Sequence, residues 1–279
     1  MTAAALLALI IVGFAVGFLA GLVGIGGGVL IVPFLYFFYA HAAWSGVSIS
    51  PSLHATVAHA TSLFIIIPTA LAGTATYARN GLVAWRSVLP IAVFSMLSAA
   101  IAAKLASNMP PELLKVAFGT FLVFTGIQLL TKRASTVSGP ARTNMLAAGA
   151  TGALVGIFSA LLGVGGGLIA LPMLMYVVRL DIRHIAATSL AIVAFAATAG
   201  TLTYMVDGAG LAGLPPGHIG YVHIAAALPM LPGAVLAARW GARLNQRIDA
   251  TKLRRIFAVM FAVLGANLVI RNLPLLLSG

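Results

Sequence analysis

The stretch GLVGIGGGVLIVP, Gly21 to Pro33, decides how the chain is read. Five of its first eight residues are glycine, yet it lies inside a charge-free apolar run from Ala3 to Ala40. A lipid-embedded segment must satisfy its backbone internally, which favours helix. Glycine opposes helix by about 1 kcal/mol per residue relative to alanine. A straight helix over that run would be about 57 Å long, against a hydrocarbon core of ~30 Å. The run has to fold back, tilt extremely or break, and the glycines mark where a break falls.

The composition places this segment in a membrane. The chain has 279 residues, only 7% of them charged, and a mean hydropathy of +1.10. A soluble domain carries roughly 25% charged residues, so this chain could not cover a water-facing surface. It is read as an all-α polytopic membrane protein. The opening MTAAALLALIIVGF has no basic leader, and it reads as a retained helix. The absence of cysteine excludes disulfides, thiolate ligands and thiol catalysis. The net charge of +12 comes from Lys and Arg flanking apolar runs. That is a topology signal before it is a nucleic-acid signal, and it suits an anionic cargo.

The chain is written twice. GFLAGLVGIGGGVLIVPFL (Gly17 to Leu35) aligns with GIFSALLGVGGGLIALPML (Gly156 to Leu174), sharing the glycine triplet and Pro33/Pro172. ATSL recurs at Ala60 and Ala187, and GTATY at Gly73 matches GTLTY at Gly200. The spacing between copies shortens from 139 to 127 across these blocks, so the first half holds a twelve-residue insertion near 41–53. It returns to 139 for Lys104/Arg243, Phe118/Phe257 and Gly126/Gly265. Repeats of this kind mark secondary transporters, whose substrate sits at the repeat interface. The expected units are residues 1–132 and 144–279, joined by a basic linker at 133–143.

The paired GxGGGxxxxP blocks, each followed by ATS, resemble the sulfite exporter TauE/SafE family, over about residues 8 to 272. That resemblance implies transport of small sulfur-containing anions, such as sulfite and sulfonated organic acids, across the bacterial inner membrane.

Charge sets the expected orientation. Arg79 and Arg86, Lys132, Arg133 and Arg142, Arg179 and Arg183, and the run Arg239, Arg243, Arg247, Lys252, Arg254 and Arg255 should be cytoplasmic. The uncharged loop 41–51 and the Asp207 loop should lie outside; Lys104 and Lys115 run against this, partly offset by Glu112. Helices are expected near 52–78, 85–105 and 110–131, and near 183–206, 218–242 and 252–271. The halves then have inverted topology. Each is a glycine-broken hairpin plus three transmembrane helices, giving about 10 membrane segments, or 8 with hairpins counted once. The hairpin tips should point into the interior.

A hairpin tip leaves free amides at the start of its second arm, and a helix start favours anions. This makes Gly26, Gly27 and Gly28, with Gly165, Gly166 and Gly167, candidate substrate ligands; close helix packing is the alternative use of such small residues. Thr61, Ser62, Thr188 and Ser189 bring hydroxyls to membrane depth, to donate to an oxyanion or to bond back to their own helices. Gln128 and Asn267 correspond between the halves as lone amides, for substrate or for helix pairing. Tyr77 and Tyr204 also match, and their place near span ends suggests interfacial anchoring. His59 breaks the symmetry, with Ala186 at its counterpart; it is a candidate anion partner or proton carrier. His54 lies near the outer edge, His184 near the inside face, and His218 and His223 flank Tyr221 without carboxylates that would complete a metal site. Acidic residues avoid the spans, which argues against sodium or metal cargo. Pro68, Pro90, Pro229 and Pro232 suit kinked or moving helices.

The chain offers no paired carboxylates, thiol or metal cluster at depth, so no enzymatic activity, metal or cofactor is expected. The reading is an anion carrier working by alternating access at the repeat interface. An anion channel or a carboxylate carrier is the alternative. The expected partners are a small anion, lipid and, as an option, a second copy in a homodimer; nucleic acid is not among them.

Overall fold

A computed structural model describes residues 1–131, 144–245 and 250–278. Lys132, Arg133, Arg142 and the rest of the 133–143 linker lie outside the described residues, as does Arg247.

Both glycine blocks interrupt a helix in the same way. Helix α1 (Ala3–Val23) starts at Thr2, whose hydroxyl accepts from the Ala5 amide, and stops at Gly24 with φ 81°. Gly27, at φ 82°, opens α2 (Gly28–Ala40). In the second half α7 (Met145–Leu162), capped by Asn144, stops at Gly163 with φ 65°. Gly166, at φ 75°, opens α8 (Gly167–Tyr176). These left-handed backbones cost a residue with a Cβ roughly 1–2 kcal/mol each, so glycine ends the first arm and starts the second.

The chain then folds back on the arm it left. A Cβ on Gly27 would strike Val16 at 2.5 Å, and one on Gly166 would strike the Val155 carbonyl at 2.5 Å. At the far end of α1 the Thr2 hydroxyl donates to the Trp44 carbonyl, 2.6 Å away. Trp44 lies in α3 (Ala42–Ser45). The first glycine segment thus begins and ends at the same end of the molecule.

The remaining helices are α4 (His54–Ala78), α5 (Trp85–Ser107), α6 (Pro111–Thr131), α9 (Ile182–Asp207), α10 (Ile224–Asn245) and α11 (Ala250–Ser278). Among the described residues, α1, α5, α7, α9, α10 and the 51–78 segment containing α4 are long and apolar enough to cross a membrane. Two boundaries differ from expectation. The insertion near 41–53 forms α3 and a 3-10 turn at Pro51–Leu53. Helix α10 starts at Ile224 and not near 218, because β1 (His218–Ile219) and β2 (Val222–His223) pair antiparallel around Gly220 at φ 55°.

Helices α4 and α9 form the buried centre and run antiparallel: Gly73 packs on Leu190, and Gly200 on Leu63. Helix α1 lies parallel to α10, with Gly13, Gly17 and Gly21 facing Met230, Ala234 and Ala238. A Cβ on Gly17 would sit 2.0 Å from the Ala234 carbonyl, so only glycine allows this approach. Helix α7 packs on α5 in the equivalent way, through Gly152 on Ile91 and Gly156 on Ser95. Helices α6 and α11 pack antiparallel, Gly119 on Gly265 and Gly126 on Ala258. Outward, α5 shows an exposed apolar stripe at every fourth residue, Leu89, Val93, Leu97, Ile101 and Leu105. That is the face a lipid-embedded helix turns to acyl chains.

Candidate anion site at the glycine tips

The two glycine tips meet each other. A Cβ on Gly28 would lie 2.5 Å from the Gly163 carbonyl, and one on Gly167 would lie 2.4 Å from the Ile25 carbonyl. Gly26 and Gly165 share the same side-chain neighbours, Val193 of α9 and Ile66 of α4. Residues 24–29 and 163–168 are all buried. Among the described residues no backbone carbonyl accepts a well-formed hydrogen bond from the amides of Gly26, Gly27, Gly28 and Val29. The same holds for Gly165, Gly166, Gly167 and Leu168. Buried native amides are almost always paired, and leaving one unpaired costs about 1–3 kcal/mol. Two clusters of amides without such partners thus stand at opposed helix starts, where the backbone dipole favours negative charge, with the Gly163 and Ile25 carbonyls close beside them.

The ATS hydroxyls hold these tips, and they do so across the halves. Ser62 of α4 donates to the Gly163 carbonyl at 2.7 Å. Ser189 of α9 donates to the Gly24 carbonyl at 2.9 Å. The sequence suggested donation to an oxyanion or to each serine's own helix; here each serine caps a carbonyl of the other half's tip. Thr61 accepts from the His223 amide at 3.0 Å, and Thr188 from the Ala84 amide at 3.2 Å, so both secure the chain entering α10 and α5. Ser62→Ala strips the Gly163 carbonyl of its donor. It is expected to cost about 1–3 kcal/mol, read as a lowered thermal midpoint of the purified protein, with Ser189→Ala matching it.

Tyr77 and Tyr204 are not interfacial anchors. Both are fully buried, and they donate to equivalent carbonyls on the first arms, Tyr77 to Gly21 at 2.9 Å and Tyr204 to Ala160 at 3.0 Å. The buried aromatic body needs a partner for its one polar atom, and the last turn of each first arm supplies it. Gln128 and Asn267 do not join the tips. They stand on α6 and α11, which pack on each other, and Asn267 is exposed.

His59 does join them. It is fully buried, its Cα lies against Gly163, and its Nε2 is hydrogen-bonded to the Tyr36 hydroxyl. A second pair, Tyr39 with His223 Nδ1 at 3.2 Å, lies on the same side of the molecule. Sequence reasoning missed Tyr36 and Tyr39, which stand in the aromatic run PFLYFFY and read as apolar filler. The available signal was their one-sidedness, since Met175 and Val178 occupy the matching positions. His184 bonds the Leu82 carbonyl through Nδ1 at 2.9 Å, tying the α4–α5 loop to the start of α9. Among the described residues no group of three His, Cys, Asp or Glu could hold a metal ion.

Comparison with known proteins decides the family. The model for "Sulfite exporter TauE/SafE" matches residues 9–268, nearly the whole chain. The chain belongs to the sulfite exporter TauE/SafE family. This is a family of membrane transporters and not of enzymes. The chain is 27% identical over 259 residues to a "Probable membrane transporter protein" of Methanocaldococcus jannaschii, covering 92% of each. It is 25% identical to the "Probable membrane transporter protein YunE" of Bacillus subtilis, covering 94% of this chain and 96% of that one. It is 31% identical over 175 residues to the "Probable membrane transporter protein MamO" of Magnetospirillum gryphiswaldense, covering 61% of this chain and 24% of that much longer one. No solved structure matches the chain. The TauE/SafE chain is therefore a multi-pass membrane transporter, and its glycine blocks lie within the matched region.

Proposed function

We propose that this TauE/SafE transporter carries a small sulfur-containing oxyanion or organosulfonate by alternating access across the bacterial inner membrane, with the anion held where the two glycine tips meet. The observation that carries this reading is the pair of buried, unpartnered amide clusters at Gly26–Val29 and Gly165–Leu168. A tetrahedral or pyramidal oxyanion offers three oxygens and could accept from both clusters at once, at a helix start on each side. Thr61, Ser62, Thr188 and Ser189 shape the site by fixing the backbone, and His59 borders it.

Two inverted repeats make alternation geometrically natural. The antiparallel packing of the equivalent helices α4 with α9, and α6 with α11, supports that arrangement. The first tip, at Gly24, reaches the start of α9 at Ala186; the second, at Gly163, reaches the start of α4 at His59. The hairpins thus pass one another from opposed ends. Rocking of one repeat against the other would part the tips toward one side at a time.

Counterflow in proteoliposomes tests the reading. Unlabelled methanesulfonate loaded inside should accelerate saturable entry of labelled methanesulfonate or sulfite several-fold. Flux that is linear with concentration and indifferent to the trans anion would indicate a channel; entry of acetate but of no sulfur anion would move the cargo to carboxylates.

A further inference from the structure

We propose that His59 is a proton-binding site, and that its proton and the anion at the tips bind in concert, so that transport is coupled to protons. Both clauses rest on the anion reading above, because the anion supplies the counter-charge.

His59 has no structural need to be a histidine. The repeat builds the same turn around Gly24 with Ala186 in the equivalent place, and Met175 stands where Tyr36 would be. A fully buried imidazole has nonetheless been placed there, hydrogen-bonded on one side only. Nε2 has Tyr36, while Nδ1 has no well-formed hydrogen-bond partner. The backbone acceptor that the ring faces is the Leu161 carbonyl, at the end of α7 beside the second tip. An imidazole with one nitrogen bonded to a hydroxyl that can rotate can take up and release a proton. Tyr36 can donate to the neutral ring or accept from the charged one.

The surroundings leave that charge without a side-chain counter-ion. From α2 come Tyr36 and Tyr39, from α4 His54, from α6 Glu112 and Lys115, from α9 Tyr204, and from the β-turn His218 and His223. Described α7 and the Gly163 turn add no titratable group. On α6, Glu112 stands one turn from Lys115, whose positive charge faces it. The Phe118 ring, 6.2 Å from the His59 ring, offers a π contact. Protonated His59 would be a buried, unpaired cation, which is costly. An anion on the adjacent amides would supply the missing charge. Each ligand then raises the other's affinity by the same factor. His54, partly exposed and at the start of α4 five residues before His59, marks the side from which the proton arrives.

Methanesulfonate, which stays ionised throughout, tests this on the purified, reconstituted full chain. Its affinity should be about tenfold higher at pH ~5.5 than at pH ~8, and its binding in weak buffer should draw protons from solution. His59→Gln should abolish both effects. Equal affinity at the two pH values with no proton uptake would overturn the concerted binding while the anion reading stands. Binding at neither pH would overturn both, because the anion supplies the counter-charge.

Discussion

Gly28→Leu and Gly167→Leu are each expected to abolish anion binding while the protein still inserts and purifies as a folded species. A side chain at Gly28 would meet the Gly163 carbonyl at 2.5 Å and Val164 Cα at 2.6 Å; at Gly167 it would meet Ile25 backbone atoms at 2.4 to 2.6 Å. These obstacles are backbone and cannot swing aside, so the tips must separate and their amides no longer face one ligand. Losing two hydrogen bonds to a charged group, each about 1.5–3 kcal/mol, lowers affinity roughly 100-fold or more. The fold itself tolerates the change better, because the large interfaces of α1 with α10 and α7 with α5 lie elsewhere. Gly81→Asn is the control. Gly81 has φ 67°, which asparagine accepts, and nothing within 4 Å of a Cβ; binding should be unchanged. Wild-type affinity for methanesulfonate in both leucine variants would show that the tips do not hold the anion.

Single cysteines at Ser48 and Arg183 are expected to label from opposite faces of the membrane. Both positions are exposed, one following the second arm of the first hairpin and the other opening α9 after the second. In an inverted pair of repeats the exits of the two hairpins must lie on opposed sides, so an impermeant maleimide added to intact cells should reach the residue-48 thiol and not the residue-183 thiol. The effect is all or none. Labelling of both from one side would mean the halves are parallel, and the opposed helix starts would lose their geometric basis.

Much of this architecture was legible because lipid leaves the backbone few choices. A charge-free run too long for one span, broken by glycines and repeated with Pro33 and Pro172 in register, already implied a turn inside the membrane. The left-handed angles at Gly24, Gly27, Gly163 and Gly166 show the chain turning there. The site was less legible, because its key bonds join distant parts of the chain. Ser62 and Gly163 are 101 residues apart, and nothing local shows that a serine will cap the opposite tip. Tyr77 and Tyr204 look interfacial by position, but the ends of α4 and α9 are covered by the first arms. Gln128 and Asn267 match between halves as well as the serines do, yet α6 and α11 carry them away from the tips. Correspondence in a duplicated sequence shows that two residues share a place in the repeat, not that the place is the centre.

Diffraction from crystals grown with bromomethanesulfonate tests the central claim most directly, because bromine scatters anomalously and locates the bound anion without ambiguity. A single site is predicted between the tips, with sulfonate oxygens about 3 Å from the amides of Gly28 and Gly167. An anion bound elsewhere in the molecule, with those amides still facing only each other's backbone, would contradict it.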